Sequence, residues 1–576
     1  MKLKGLSILV GLALIFSVSS CDLFDLDINT DPNNPASISP ALLLTNVEVD
    51  GIAGVVGNFN NTGMGFVVQS TASDNFFFNN QSWNGTWNFF YTGPMKDLDE
   101  LIKIVEVDAN NDGNPDQPRY LGIAQVLKAY MVSTLVDWWG AIPYSEAFKG
   151  NATPQIKTPV YDDDAIIYES CIGLLNSAIT NLALSSPAIT GDVIYGGDAT
   201  KWAKAARSLK LKLLLQTKHV PSIAAEAAKC PSCGNVAEIQ ALVTNQAGLI
   251  TAAGDDFLFQ FSPSISPDYR HPNYAMGGAS YGGGYLAHQL MFELLRNNDP
   301  RLPFYVKRQT KTVLDPNDAT QKQTIPCSQR ADCVYGYFPR SNFVTQAIYG
   351  KAPGDLTTAE AEYLAGFFGR DRSDPSGVPD DAGIRTAHGL YPYGGLYDDA
   401  PEPANQNKGR GDGIFPIATS WMVKFWQIEA MLTLGVTHPT STAAQLLDAA
   451  MAEQLTKVNT FVSKDAGAVA MATAAMNSYR NTWVTNFNNA ATNNAKLSVA
   501  LKQAWFCNYG NGLELYNTFR RTGLPGDLQL PLQLPGNFAL RIPYAQDELN
   551  LNPNTPVIGY DRPEFAVFWD ALKFQF

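Results

Sequence analysis

Apolar residues recur along this chain at helical spacing, lose that spacing in the middle, and regain it. In "PMKDLDELIKIV" (94–105), Met95, Leu98, Leu101, Ile102 and Val105 fall three and four residues apart, the period of a helix with one face on a core. "PRYLGIAQVLKAYMVSTLVDWWG" (118–140) offers Pro118 for a first turn and Gly140 as a stop. "YDDDAIIYESCIGLLNSAITNLAL" (161–184) opens on three Asp, which favour the positive end of a helix dipole. "DATKWAKAARSLKLKLLLQTK" (198–218) spaces Trp202, Ala205, Leu209, Leu213 and Gln216 helically. The same period returns in 420–435, 442–462 and 495–521. From about 250 to 420 it gives way to Gly, Pro, Tyr, Asp and Asn with short β-like pieces such as "DDFLFQF" (255–261). A loop-rich stretch far longer than ordinary connections is expected to carry function. The pattern predicts a mainly α fold: a helical-repeat scaffold split by one large irregular, loop-rich lobe.

The first forty residues follow another logic. Lys2 and Lys4 precede the apolar run "GLSILVGLALIFSV" (5–18), which has the length of a signal-peptide core. Val18-Ser19-Ser20-Cys21 then resembles the bacterial lipobox, in which small residues let an extended backbone enter the peptidase and the Cys takes the lipid. Residues 1–20 are therefore expected to be removed and Cys21 to be acylated, with 21–40 as a flexible leader. Each buried CH2 of an acyl chain contributes roughly 0.8 kcal/mol, so two or more chains anchor stably. No later stretch is expected to approach the 18 or more apolar residues of a membrane span. The body divides into 41–250 (helical), 251–420 (the lobe) and 421–576 (closing helices and a capping segment).

Composition narrows the function. The 576 residues carry a formal net charge of −13, and losing Lys2 and Lys4 makes it about −15, which leaves no electrostatic footprint for nucleic acid. Only 16% of residues are charged, while Trp, Tyr and Phe number 10, 24 and 30. Such a surface suits neutral polar ligands. "NFFFNNQSWNGTWNFFYTG" (75–93), "DYRHPNYAMGGASYGGGY" (268–285) and "GLYPYGGLYDD" (389–399) set aromatic rings beside Asn and Gly. From them Trp83, Trp87, Tyr91, Tyr281, Tyr285 and Tyr393 are the candidate ligand contacts, stacking on apolar ring faces while Asn, Asp and Arg take hydroxyls or amides.

Other chemistry is thinner. "DANNDGNPD" (108–116) alternates Asp108, Asn110, Asp112, Asn114 and Asp116 around Gly113, a spacing that turns several oxygens inward for a structural Ca2+. The position of the closing acid of a sensor loop is Arg119, so the loop reads as abbreviated. "CPSC" (230–233) and "CSQRADC" (327–333) are expected to close as local disulfides, Cys230 with Cys233 and Cys327 with Cys333; zinc is the rival for the first. Cys171 and Cys507 lie in apolar helical patterns, as buried thiols do. "GASYG" (278–282) lacks the strand and helix that would make Ser280 a nucleophile. The five His show no ligand spacing. Asp380-Asp381, Asp398-Asp399 and Glu402 leave a surface-anchored glycoside hydrolase as the alternative reading.

Several segments together resemble one family. These are "NTDPNNP" (29–35), "WWGAIPYSEA" (138–147), "GGDATKWAKAARSLKLKLLL" (196–215), "NDPRLPFY" (298–305), "GIRTAHGLYPYGGLYDD" (383–399), "FRRTGLP" (519–525) and "RIPYAQDELNLN" (541–552). The ordered set is similar to the SusD/RagB nutrient-binding outer-membrane lipoproteins of the Bacteroidetes, with Ala141 where that family usually has Asp. The resemblance implies an α-helical fold of tetratricopeptide-like helix pairs supporting an irregular ligand-binding lobe, in a non-catalytic protein on the outer face of the outer membrane. Such a protein acts as lid of a SusC-like TonB-dependent transporter and captures glycans or oligopeptides. It also implies that Arg520-Arg521 and Pro543-Tyr544 are structural.

Overall fold

A computed structural model describes residues 38–573 apart from 72–79, 277–284, 309, 316–317, 327–340, 358–359, 361–366, 368, 374–385, 399–408, 533–537 and 560–561. Cys21, Tyr281, Cys327 and Cys333 lie outside the described residues.

The periodic segments fold as their spacing predicts, and their ends follow from local chemistry. The principal helices are α1 Pro40–Gly54, α2 Asn60–Phe66, α3 Asn84–Thr92, α4 Pro94–Val105, α5 Pro118–Trp139, α6 Asp164–Ala183, α7 Ala199–Gln216 and α8 His288–Arg296. They continue as α9 Ser420–Leu434, α10 Ala443–Asn459, α11 Thr473–Asn489, α12 Asn493–Cys507 and α13 Gly512–Thr522. Asp163 caps α6 through the Ala165 amide, and Asp198 caps α7 through Thr200 and Lys201. Helix α5 stops where Gly140 takes φ +75°, a value that costs glycine least. The pattern over 495–521 is two helices, because the chain turns at Asn508–Asn511 with Gly510 at φ +92°. Helix α11 has no strong apolar stripe: only Tyr479 and Phe487 are buried, which is why its period is weak in the sequence.

Neighbouring helices stack in sequence order: α4 on α5, α5 on α6, α6 on α7, then α9 on α10, α10 on α11 and α11 on α12. This is the stacking that a helical-repeat architecture requires. Among the described residues the strands are short and pair antiparallel: β1 Ser70–Thr71 with β3 Tyr285–Leu286, and β2 Phe257–Gln260 with β8 Ile414–Ala418. Likewise β4 Val306–Lys307 pairs with β7 Ala387–His388, and β5 Thr310–Asp315 with β6 Asp318–Pro326. "DDFLFQF" thus supplies β2, which is closed by a strand from the far end of the lobe region. One continuous core runs from Leu43 to Trp569.

One expectation is corrected. Pro40–Phe66 is long and apolar enough to cross a membrane by length and composition. In the fold Leu44, Val47, Ile52, Val55, Val56 and Phe59 are fully buried in the protein core, which is what its apolar side serves here.

Two groups of helices meet on buried charge. Glu429 of α9 accepts from Arg521 of α13 through Nε (2.8 Å) and Nη2 (2.9 Å), and from Lys218 just beyond α7 (2.9 Å). Arg521 Nη1 also donates to Gln216 of α7. Beside them Glu514 accepts from Trp426 Nε1 (2.7 Å), with Lys212 3.5 Å away. Asp137 of α5 takes three donors: Tyr168 Oη (2.7 Å), Asn517 Nδ2 (2.6 Å) and Trp569 Nε1 (3.0 Å). Burial raises the Asp137 carboxyl above its ordinary range, against the pull of Lys212, Arg520 and these donors. Arg520 points the other way from Arg521, to the Leu540 carbonyl (2.8 Å), and stacks over Tyr516 and Trp569. Arg520, Arg521 and the Pro543-Tyr544 segment, whose Pro543 carbonyl receives Trp139 Nε1 (3.1 Å), are structural as the resemblance implied.

Burial would push the Glu429 carboxyl up, but Arg521 and Lys218 overcome this and hold it at about 2. A depressed acid stabilises above its unfolded pKa and loses that contribution as pH falls through the folded one. Glu429→Gln leaves Arg521 and Lys218 buried without their carboxylate and should cost about 3–5 kcal/mol at pH 7, read by urea unfolding. The gap between wild type and variant should close between pH 4.5 and about 2; a gap that stays constant through that window refutes the assignment.

Candidate functional site

The structure moves most of the aromatic candidates into the core. Residues 84–92 are helix α3 rather than an open loop, because Thr86, Trp87 and Phe90 share one face at spacings of one and three. Trp87 stacks on Tyr91 (ring centroids 4.8 Å) and meets Trp139 edge-on (5.0 Å), with Tyr161 and Tyr544 closing its surroundings. Trp83 packs with Phe59, Trp138 and Trp139. Both indoles are at most 3% exposed, so neither offers a face to a ligand. The tryptophan-rich start of "WWGAIPYSEA" demands this: Trp138 and Trp139 are fully buried and need aromatic neighbours. Tyr91 is half-buried and donates to the Pro143 carbonyl (2.8 Å).

Tyr393 is corrected in the same way. "GLYPYGGLYDD" is a packing device, not an exposed platform. Gly394 (φ +74°) lies so close to Gly411–Gly413 that a Cβ would sit 2.6 Å from the Asp412 nitrogen. That backbone contact sends the tyrosines inward. Tyr393 lies between His271 (4.7 Å) and His388 (4.5 Å), and Tyr391 lies against Tyr305 and Phe461. His388 Nδ1 and Tyr509 Oη are 2.6 Å apart, and burial pushes the His388 imidazole down to about 4, so this ladder is neutral at ordinary pH.

Tyr285 is buried too, but it stands at the frame of the lobe. β1 and β3 pair Thr71 with Tyr285, and the Arg370 guanidinium lies 4.9 Å from the Tyr285 ring. Arg370 also joins the backbone: its amide donates to the Leu286 carbonyl and its carbonyl accepts from His288. Next to it Asp371 holds His288 Nδ1 (3.1 Å) and Ser341 Oγ (2.6 and 2.8 Å). Burial pushes that carboxyl up, but His288 and the hydrogen bonds hold it below the ordinary range. Ser, Asp and His are together, yet the Asp stands in the middle: Ser341 donates to the carboxylate and has no hydrogen bond to the imidazole among the described contacts. A nucleophilic triad needs the His on the Ser. Of the carboxylates weighed for hydrolysis, Asp398 is engaged by Arg308 through the amide (2.9 Å), Nε (2.9 Å) and Nη2 (2.6 Å). Asp380, Asp381, Asp399 and Glu402 lie outside the described residues.

Tyr269 lies in "DYRHPNYAMGGASYGGGY" but is not among the six candidate contacts. It is 51% exposed at the closing end of a turn in which the Ser262 amide donates to the Tyr269 carbonyl and the Tyr269 amide to the Ser264 carbonyl. Beside it Arg270 is pinned by Asp268 (2.9 and 2.7 Å) and lies 5.5 Å from the Tyr274 ring. A serine-proline turn with one aromatic at its end was the available signal. Other tyrosines nearby in sequence look the same until burial sorts them.

The 108–116 loop is exposed and closes on itself. The Asp108 carboxylate accepts the Asp112 and Gly113 amides, Asn110 accepts Asp112, and Asp116 accepts Ala109. No grouping of three metal-ligating side chains stands out among the described residues. Cys230 and Cys233 form the expected disulfide, and Cys171 and Cys507 are buried free thiols.

A family model described as SusD-like, "starch-binding associating with outer membrane", matches residues 32–365, and the chain belongs to that family. Its members are non-catalytic nutrient-binding proteins of the outer membrane, and this chain is a binding protein, not an enzyme. Among solved structures, a SusD-like protein of the Bacteroidetes is 18% identical with a TM-score of 0.65, covering 93% of this chain and 100% of its own. A chitin-binding protein is 20% identical (TM-score 0.63; 92% and 100%). A chitin-binding SusD homolog from Flavobacterium johnsoniae is 17% identical (TM-score 0.58; 93% and 98%). At these identities the likeness establishes the fold. No curated protein matches the chain in sequence.

Proposed function

We propose that this protein is a lipid-anchored, cell-surface glycan-binding protein that acts as the substrate-capturing lid of a SusC-like TonB-dependent transporter. The observation that carries the reading is the match to SusD-like folds over nine-tenths of the chain. The lipobox ending at Cys21 supplies the anchor. The helical parts, 41–250 and 421–576, dock the barrel, and the lobe, 251–420, faces the substrate. Glycan is favoured over oligopeptide on two grounds: the surface is poor in charge, and two fold relatives are described as chitin-binding. Tyr269 provides the aromatic face and Arg270 the donors, with Tyr281 a further contact from the same lobe.

The mechanism is binding alone. Stacking and hydrogen bonds hold the sugar weakly enough for release into the barrel, and two of the acids that could do acid–base chemistry, Asp371 and Asp398, are tied to His288 and Arg308. A structural Ca2+ in the 108–116 loop completes the proposal: Asp108, Asn110, Asp112, Asn114 and Asp116 offer an oxygen-only set that suits a hard cation.

Calorimetry with chito-oligosaccharides should show binding that Tyr269→Ala weakens about fivefold, the worth of one aromatic contact, with unfolding unchanged. Sustained release of shortened sugars, or binding of peptides and of no glycan, would sink the reading. In cells, Cys21→Ala should move the protein out of the membrane fraction; if it stays there, the anchor is wrong. Millimolar calcium should raise the melting temperature relative to chelator, since a ligand of the native state stabilises it. An unchanged melting temperature removes the ion.

A further inference from the structure

A groove of about 580 Å3 lies on the helical body, where the start of α5, the end of α6 and the start of α7 converge. In "DATKWAKAAR" (198–207) Trp202 and Ala205 turn into the core. Thr200, Ala203, Lys204 and Arg207, three and four residues apart, therefore share another face, and that face lines the groove. Helix α6 adds Ile179 and Leu182, and α5 adds Arg119. Among the described residues no aromatic ring lines it, and it shares no residue with the Tyr269 turn.

The two arginines are held in place without being neutralised. Arg119 Nε donates to the Leu184 carbonyl (3.0 Å), and Arg207 Nη1 donates to the Ala203 carbonyl (3.3 Å). The Arg207 stem lies against Gly248, where a Cβ would come within 3.1 Å of its Cδ. A guanidinium carries five N–H donors in a rigid fork. Arg119 thus keeps both Nη groups, and Arg207 keeps its Nε–Nη2 edge. Each of these is a bidentate match for a carboxylate or a phosphate. Neither arginine forms an ion pair among the described residues. Lys204, by contrast, is paired with Asp255 (2.7 Å). The one carboxylate that lines the groove is Asp198, which accepts the Thr200 and Lys201 amides (2.9 and 3.1 Å) at the start of α7. The chain as a whole has a formal net charge of −13, so two unpaired positive forks in one groove run against its general character.

We propose that this groove binds an acidic sugar, a saccharide bearing a carboxylate or a phosphate that Arg119 and Arg207 hold. Its volume falls in the range of small-molecule sites, about 300–1,000 Å3. Ile179, Leu182 and Ala203 give the C–H face of the sugar an aliphatic wall. The arginines give its oxyanion charge-assisted hydrogen bonds, about twice as strong as neutral ones. A neutral sugar finds no ring to stack on here, and its hydroxyls bring no charge to the guanidinium groups. The groove is thus a second site, with a preference opposite to that of the aromatic turn at Tyr269. Asp198 stands on the same wall and limits the affinity, and salt weakens binding by screening.

Calorimetry on the full chain at low salt, with digalacturonate, glucose 1-phosphate and neutral digalactose as probes, tests this. At least one acidic probe should bind, with digalactose about tenfold weaker or worse. Which acidic probe binds tells a carboxylate ligand from a phosphate one. Arg119→Gln and Arg207→Gln should each weaken binding about tenfold, the scale of a hydrogen bond to a charged group. Asp198→Asn keeps a good cap on α7 while removing the carboxylate, and should tighten binding about twofold. A folding defect does not mimic that gain. Binding of neither acidic probe, equal binding of digalactose, or an affinity indifferent to both arginines and to Asp198 overturns the proposal. Chito-oligosaccharide binding and Tyr269→Ala bear on none of these outcomes, so this site and the glycan site at Tyr269 fail separately.

Discussion

The bidentate contact of Arg521 with Glu429 is the constraint on which this architecture rests. Helix α13 sits between the early helices and the late ones, and its two consecutive arginines face opposite sides. Arg521 grips α9 and α7 through Glu429 and Gln216. Arg520 grips the closing segment through the Leu540 carbonyl and the Trp569 ring. Removing two charges from water costs several kcal/mol each, so such a pair survives only when geometry is good and every remaining lone pair is used. Glu429 meets that condition with three donors, and Asp137 meets it with three more. Apolar packing holds these helices together; the buried ions fix which helices meet and in what register.

The short strands depend on that rigidity. The strands of 257–418 are two to nine residues long and pair across large sequence separations, β2 with β8 and β4 with β7. They hold because their ends are nailed to the helical body: Ser420 donates to Asp256, Arg301 spans Asp299, Gln454 and Tyr479, and Tyr305 donates to the Phe506 carbonyl. Polar groups that would otherwise read as catalytic, Asp371 with His288 and Ser341, and Asp398 with Arg308, serve the same end. A binding protein needs a shaped surface that does not react, and tying Asp371 and Asp398 to their partners serves both ends.

Much of this was legible in the sequence. Helical period, capping aspartates and the stop at Gly140 located α4 to α7, α9 and α10 closely, because each signal is local. The CPSC disulfide and the buried thiols followed from spacing and apolar context. The ligand contacts were not legible. Trp83, Trp87, Tyr285 and Tyr393 carry the same local signature as an exposed platform, an aromatic beside Asn or Gly. Only neighbours hundreds of residues away, such as Tyr544 for Trp87, show that their faces are covered.

The sequence by itself determined most of the long helices and the family, since each depends on residues close together or on an ordered set of local motifs. The tertiary structure alone decided which aromatics are free. A ring's exposure is set by what packs on both its faces, and glycines such as Gly394, by letting two backbones touch, turn a tyrosine-rich loop inward. It also decided that Tyr269 stands clear and that the start of α1 packs against Gly191. Those facts depend on contacts between distant parts of the chain, which no local pattern records.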